Sequence, residues 1–302
     1  MMARQTNGSS RFLWCVALLV IALSQYSRAD VRDDIASALT VYNRSATTAI
    51  PVLNDDTLAA LARGDTVSVR EALAASKEDE TLRVRVVGMQ LVPRPRLLVW
   101  LATLFVETQH EPRLTEHRLQ VNADRSATWY QYLDAPWPMR NRHWVIRSGK
   151  NPAIAQQTDG LAWQHEWALE PDGPDIAMEL LRSETVSDLN ERDGRKAIYL
   201  PENAGAWTMF DLGGDNTLVV TYTMADMGGW IPDRLVTRFV TRQLRDVLSK
   251  LAKRADTIHE RYDPSDPVLD GYGVAIDRAQ MNKAVRRIQK TGEDQTAGGD
   301  AS

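Results

Sequence analysis

The stretch ADMGGWIPDRLVTRF, residues 225–239, decides the fold because a strand-like run changes into a helix within it. The run TLVVTYTM at 217–224 precedes it and is rich in the β-branched residues that strands favour. Gly228 and Gly229 allow backbone conformations that other residues rarely adopt, and Pro232 suits the first turn of a helix. The stretch therefore predicts a strand, a tight turn and the start of a helix.

The helix after this turn is the longest helical pattern in the chain and runs to about Arg254. At 100° per residue its apolar side chains gather on one face, namely Val236, Phe239, Val240, Leu244, Val247, Leu248 and Leu251. Basic side chains lie roughly opposite, namely Arg234, Arg238, Arg242, Arg245 and Lys253. A helix with one apolar stripe can cover the apolar face of a sheet.

The middle of the chain reads as a run of short strands, each rich in aromatic and β-branched residues and bounded by turn residues. These are TEHRLQV (115–121), ATWYQYLD (127–134), RHWVIRS (142–148), GLAWQHEWAL (160–169), AWTMFDL (206–212) and TLVVTYTM (217–224), after an alternating segment at 81–92. GGDN at 213–216 is a hairpin turn by composition, whereas 170–190 is either a helical insertion or an irregular loop. The order predicts an α+β fold, a curved antiparallel β-sheet closed by a long C-terminal α-helix over a hydrophobic cavity.

The first 29 residues have the pattern of a secretory signal peptide cleaved near Ala29. Arg4 and Arg11 precede an apolar run of twelve residues from Phe12 to Leu23. An uncleaved membrane anchor is the alternative, but it needs about 20 apolar residues. The only cysteine, Cys15, lies in this segment, so the mature chain has no disulfide. The pattern predicts export and fits a periplasmic protein.

Charge and motifs exclude several classes of function. The net charge of -4 over 302 residues does not favour nucleic-acid binding. The chain has no H-E-x-x-H, G-x-S-x-G, P-loop or G-x-G-x-x-G motif, and its five histidines have no H-x-x-x-H spacing. We therefore expect no metal, no cofactor and no catalytic residues.

Two motifs resemble those of the StAR-related lipid-transfer (START) domain family, within the helix-grip superfamily. The first is a P-x-P turn and a following arginine, Pro136-Trp137-Pro138 and Arg142. The second is a Gly-Gly-x-Ile-Pro turn into the closing helix, matched by Gly228, Gly229, Ile231 and Pro232; Gly205 and Trp207 match a Gly-x-Trp strand start. The resemblance implies a helix-grip fold that binds lipids, sterols or other apolar molecules in a tunnel between sheet and helix.

The signal-peptide pattern, the resemblance and the composition of the C-terminal end together predict four parts of the chain. Residues 1–29 are the signal peptide, 30–49 a helical lead-in, 50–257 a START-like lipid-binding domain and 258–302 a polar, partly disordered tail.

Two departures from the family pattern concern the ligand. Ala135 stands where members that hold a phospholipid headgroup have tyrosine, and His143 stands where an aspartate is expected beside Arg142. A phosphocholine ligand is therefore disfavoured. Arg142 either meets a ligand phosphate or carboxylate, or pairs with an acid such as Glu166 or Asp134 and braces the sheet.

Aromatic residues supply the other candidate ligand contacts. Trp163, His165 and Trp167 share one face of a strand, which is either an aromatic cavity wall, an outward face or plain core packing. The predicted ligand-binding residues are Trp129, Arg142, Trp144, Trp163, His165, Trp167, Trp207, Val236, Phe239 and Val240.

We expect a binding protein whose partner is a lipid or other apolar small molecule. One alternative is a helix-grip cyclase or aromatase in which His165 or His143 does acid–base work. Another is an interaction protein with a filled core and no cavity. The basic side of the last helix is either a solvated face or a surface for transient contact with anionic membranes.

Overall fold

The structure is a computed structural model. It describes residues 30–72, 84–104, 113–137, 139–186, 188–226, 228, 233–263 and 265–297, with the backbone alone for 72, 84, 233–240, 243 and 290–297. The predicted signal peptide, Pro138 and the turn residues Gly229, Ile231 and Pro232 lie outside the described residues. The same holds for the side chains of Val236, Phe239 and Val240.

Eight helices occur within the described ranges. They are α1 over 30–43, α2 over Asp55–Ala62, α3 over Arg96–Leu104, α4 over Pro152–Gln157, α5 over Gly173–Arg182, α6 over Glu191–Lys196, α7 over Asp233–Thr257 and α8 over Arg278–Ala297. Asn54 caps α2 by accepting a hydrogen bond from the Thr57 amide. A short 3₁₀ turn, Ile258–Arg261, follows α7.

Nine strands form one sheet in the described part of the chain. They are β1 over Val67–Ala72, β2 over Val84–Val92, β3 over Leu114–Val121, β4 over Ala127–Leu133, β5 over Arg142–Lys150, β6 over Ala162–Leu169, β7 over Ile198–Tyr199, β8 over Glu202–Asp211 and β9 over Thr217–Asp226. The order across the sheet is β1-β2-β9-β8-β6-β5-β4-β3, all antiparallel, with the short β7 parallel to β5. β3 is therefore an edge strand.

The predicted hairpin between β8 and β9 is confirmed. Gly213 and Gly214 both have positive φ, at 74° and 55°, and the Asn216 amide donates to the Gly213 carbonyl. This turn places β8 and β9 side by side in the middle of the sheet.

α7 packs against one face of the sheet, which we call the cavity face and which carries Gly88, Trp207 and His165. A Cβ atom at Gly88 would lie 3.0 Å from the Leu248 side chain, so the helix approaches β2 closely because this residue is glycine. Leu248 and Leu251 are buried in one cluster with Leu98 and Leu101 of α3. The predicted antiparallel sheet closed by the C-terminal helix is thus confirmed.

The opposite face of the sheet is covered by two groups of helices. At one end α1 is buried through Ile35, Leu39 and Tyr42, and the Tyr42 ring contacts Phe210 edge-on at 5.5 Å. At the other end lie α5 and α6, and α5 falls within the segment 170–190 that the sequence left open as helix or loop. Ala177 and Leu181 of α5 pack on this face of the sheet.

The chain after α7 contributes apolar side chains to the core. Ile258, Ile276, Met281 and Ala284 are buried in the cluster that contains Leu251. These apolar residues are sparse and separated by charges, so the polar composition of the segment did not predict that it packs beside α3 and α7.

Candidate ligand-binding cavity

The described residues of the cavity face border a cavity of about 220 Å³. Strands β3, β4, β5, β6 and β8 and the end of α3 contribute to its wall. The described lining residues are Thr103, Leu114, Glu116, Trp129, Gln131, Ile146, Ser148, His165, Trp167, Asn203 and Trp207. Three indole rings and several neutral polar groups therefore surround one space.

Four predicted ligand-binding residues meet at this cavity. They are Trp129, His165, Trp167 and Trp207, which come from three different strands. The cross-strand register places His165 opposite Trp207 and Ser148 opposite Trp167. Alternation along each strand brings these side chains to one face.

Gly205 allows the Trp167 ring to lie against β8. A Cβ atom at Gly205 would lie 2.3 Å from the Trp167 ring and 2.3 Å from the Tyr222 carbonyl oxygen. The Trp167 indole also donates to the Asn203 side-chain oxygen at 3.1 Å. The missing side chain at 205 and the acceptor at 203 together hold this indole in the cavity wall.

A hydrogen-bonded row runs across β3, β4 and β5 at one end of the cavity. Glu116, Gln131 and Trp144 are direct cross-strand neighbours. The Trp144 indole donates to the Gln131 oxygen, and the Gln131 amide donates to Glu116 Oε1. Burial raises the pKa of Glu116, while the bond from Gln131 acts in the opposite direction.

Glu116 was missed by the sequence reasoning. Its position two residues from Leu114 gives both side chains the same strand face. This alternation identifies Glu116 only if the face of β3 that points into the cavity is already known. The sequence of β3 does not reveal that face, because most residues of this edge strand are polar.

His165 is a neutral polar group of the cavity. Burial, and secondarily the charge of Lys150, lower its pKa from 6.5 to about 3. Its ring also contacts Trp100 of α3 edge-on at 6.5 Å.

Trp163 and Trp144 were predicted to contact ligand, but neither is among the described lining residues. The Arg96 guanidinium lies over the Trp163 ring at 4.0 Å, and Trp100 contacts it edge-on at 5.6 Å. A Cβ atom at Gly271 would clash with the same ring, so the C-terminal segment lies directly on it. Trp163 is thus a core residue, and Trp144 lies beside Gln131 on the cavity face and orients its side chain.

Arg142 is buried and bonded to main-chain carbonyls. Its guanidinium donates to the Gly228 carbonyl at 3.0 Å and to the Arg140 carbonyl. These two contacts tie the guanidinium to the main chain, which favours the bracing role over contact with a ligand.

His143 lies on the opposite face of the sheet from the cavity. It packs between the rings of Tyr130 and Tyr199, and the Tyr130 hydroxyl lies 3.4 Å from its Nδ1. Burial lowers the pKa of His143 from 6.5 to about 4. Of the two histidines considered for acid–base chemistry, only His165 is at the cavity.

The described residues contain no group of three or more His, Cys, Asp or Glu side chains placed to hold a metal ion. Among the same residues, no helix has the length and apolar character required to cross a bilayer.

No protein-family model matches the chain, and no curated protein matches it in sequence. Several solved structures resemble it. Human StAR-related lipid transfer protein 5 is 14% identical, with a TM-score of 0.46 over 78% of this chain and 99% of that chain. A STAR-related lipid transfer protein from Xanthomonas axonopodis is 18% identical, with a TM-score of 0.42 over 62% and 98%.

The chain resembles START domains. The Zhui aromatase/cyclase from a Streptomyces species is also similar, at 13% identity and a TM-score of 0.31 over 68% of this chain and 94% of that one. The similar structures thus include named lipid-transfer proteins and a named enzyme.

Proposed function

We propose that this START-like protein binds a small apolar or amphiphilic molecule non-covalently in the cavity described above. The observation that carries the proposal is the convergence of Trp129, Trp167 and Trp207 on one space of about 220 Å³. Indole rings offer large apolar surface with little conformational freedom to lose. The volume is below the roughly 300 Å³ at which sites for drug-sized ligands begin, so it suits a small ligand or one portion of a larger one.

The driving force would be removal of apolar ligand surface from water. Each buried methylene contributes about 0.8 kcal/mol, which corresponds to roughly fourfold in Kd. A homologous series of straight-chain alcohols therefore tests the proposal by quenching of tryptophan emission. We expect Kd to fall with each added methylene and then to level off once the cavity is filled.

A matched pair of variants identifies the site. Trp207→Ala removes a ring from the cavity wall, whereas Trp137→Ala removes a ring that is 92% exposed elsewhere. Weakened alcohol binding in Trp207→Ala alone supports the proposal. The proposal is contradicted if neither the purified protein nor the Trp137→Ala variant binds the alcohols saturably and native mass spectrometry finds no co-purified ligand.

A cyclase-like reaction is the second candidate, because His165 lies in the cavity wall. A group with a pKa of about 3 is a weak base near neutral pH, where general acid–base catalysis favours a pKa close to the working pH. We therefore place binding and transfer before catalysis.

We also propose that the protein is exported, through the signal peptide over residues 1–29, to the periplasm. N-terminal sequencing of the exported protein should begin at Asp30. An intact Met1 on a membrane-bound form would contradict this.

Transient contact with an anionic membrane is proposed for the exposed side of α7. Arg242, Arg245, Lys250 and Lys253 are exposed there, while Leu244, Leu248 and Leu251 are buried beneath them. Binding to vesicles with anionic lipid should weaken as salt is raised, because exposed charges are screened. Equal binding to neutral vesicles would contradict the contact.

A further inference from the structure

We propose that the cavity selects an amphiphile with a protonated primary amine, which binds Glu116 while its hydrocarbon tail lies along the tryptophans. This inference rests on the proposed binding function and specifies the ligand class of the same site.

Glu116 supplies the acidic character of the cavity. Among the described lining residues it is the one carboxyl group, and the others are apolar, aromatic, hydroxyl or amide side chains and His165. His165 is neutral at ordinary pH because burial lowers its pKa to about 3. Of the lining side chains that the structure describes, only this one is able to carry negative charge.

Gln131 orients the carboxylate of Glu116 through a hydrogen bond. Its side-chain oxygen accepts from the Trp144 indole, so its amide nitrogen faces Glu116 and donates to Oε1. An ionised carboxylate has about four lone-pair sites, so one bond from Gln131 leaves acceptor capacity for a ligand N–H. The row Glu116–Gln131–Trp144 thus presents an oriented acceptor at the end of a space that three indole rings border.

A cation is the partner that this environment favours. A carboxylate that loses its water is costly unless it is paired, and an ammonium group supplies both the charge and the hydrogen bonds. A ligand carboxylate at the same place would instead meet a like charge.

The positions of the other charges near the cavity indicate at which end the amine of the ligand binds. Lys150 lies opposite His165 in the register of β5 and β6, so it disfavours a cation at that end. Arg118 is exposed and lies over the Trp129 ring at 5.9 Å, outside the row that holds Glu116. β3 and β8 are separated by four strand spacings, or about 19 Å along the sheet. We therefore place the amine at β3 and the tail toward Trp207 on β8.

The test compares decylamine, decanol and decanoate at pH 7, each below its self-association concentration, by isothermal titration calorimetry. In the unmodified protein we expect decylamine to bind at least about tenfold more tightly than decanol, since hydrogen bonds to charged groups contribute more than neutral ones. Decanoate should bind more weakly than decanol.

Two variants with the same chemical change locate the effect. Glu116→Gln should make decylamine and decanol bind equally, with decanol unchanged, which also shows that the cavity remains folded. Glu260→Gln makes the same change at an exposed position outside the described lining and should keep the amine preference.

The possible results distinguish failure of the amine inference from failure of the proposed binding function. If decanol binds but decylamine binds no better, or if Glu116→Gln keeps the preference, the amine inference is overturned while the binding function stands. If none of the three molecules binds the unmodified protein, the proposed function fails first.

Discussion

Arg142 donates a hydrogen bond of 3.0 Å to the main-chain carbonyl of Gly228, 86 residues further along the chain. The Gly228 amide in turn donates to the Asp226 carboxylate at 2.8 Å, and Gly228 has a φ of 61°. The arginine after the P-x-P turn is thus tied to the first glycine of the turn that leads toward α7. The two motifs that the sequence analysis found separately form one contact in the fold.

Replacing Arg142 should destabilise the protein and loosen this turn. Arg142→Lys keeps the charge but loses the planar fork, so at least one of the two main-chain carbonyls loses its charged donor, at about 1–3 kcal/mol. Chemical denaturation measures the change. Arg195→Ala removes an arginine with an exposed side chain and should change the free energy of unfolding by less than about 0.5 kcal/mol. A similar small effect for Arg142→Lys would contradict the bracing role.

Gly205→Ala should displace Trp167 from the cavity wall. The new Cβ atom cannot lie 2.3 Å from both the indole and the Tyr222 carbonyl, so the ring and the strand must shift. We expect lower thermal stability together with weaker binding of apolar probes. In the background of Trp167→Ala the ring clash is gone but the carbonyl clash remains, so the added cost of Gly205→Ala should be smaller there. Equal costs in both backgrounds would mean that the glycine does not serve Trp167.

Phe239, with Val236 and Val240, remains a prediction for the roof of the cavity. Phe239→Ala should raise the ligand off-rate, because the apolar stripe places it toward the sheet. If the ring is fully packed, its loss costs about 3–5 kcal/mol of stability, and less if it borders open space. Arg238→Ala is the control on the other side of the helix. Equal off-rates in stopped-flow measurements of the two variants would show that this helix is not the lid.

Stability should fall as the pH drops from about 6.5 toward 4. Burial lowers the folded-state pKa of His143 from 6.5 to about 4, so in this window the unfolded chain takes up a proton that the folded chain does not. The free energy of unfolding is highest above pH 6.5, where His143 is neutral in both states. Between pH 6.5 and pH 4 it falls by about 3 kcal/mol because of His143. His165 contributes in the same direction.

His143→Phe should flatten this pH dependence, because the new ring does not titrate and can pack between Tyr130 and Tyr199. Urea denaturation between pH 4 and pH 7 measures the slope. An unchanged slope in the variant would show that other groups cause the acid sensitivity.

The sequence predicted those features that depend on local pattern. Alternation placed Trp163, His165 and Trp167 on one face. Alternation does not show how far along the strand the cavity extends. That limit is set by Arg96, Trp100 and the segment around Gly271, which come from distant parts of the chain and cover Trp163.

Glu116 and the C-terminal segment illustrate the other limit. Whether a carboxyl on an edge strand faces inward depends on the register with its neighbour, and Glu116 shares the face of Gln131, with which it is paired and hydrogen-bonded. Ile276, Met281 and Ala284 are too widely spaced for a clear apolar stripe, yet α3 and α7 provide a complementary surface. Both outcomes are decided by long-range packing.

The segment after α7 also determines where the protein can be shortened. The Trp100 indole donates to the Leu269 carbonyl at 2.9 Å, and Gly271 lies against the Trp163 ring. A recombinant fragment that stops at residue 257, where the sequence suggested that the lipid-binding domain ends, would uncover both indoles and leave that N–H without its acceptor. Contiguous exposed apolar surface promotes association between molecules. Expression of such a fragment is therefore expected to give aggregated material, whereas one that extends through residue 289 keeps these indoles covered.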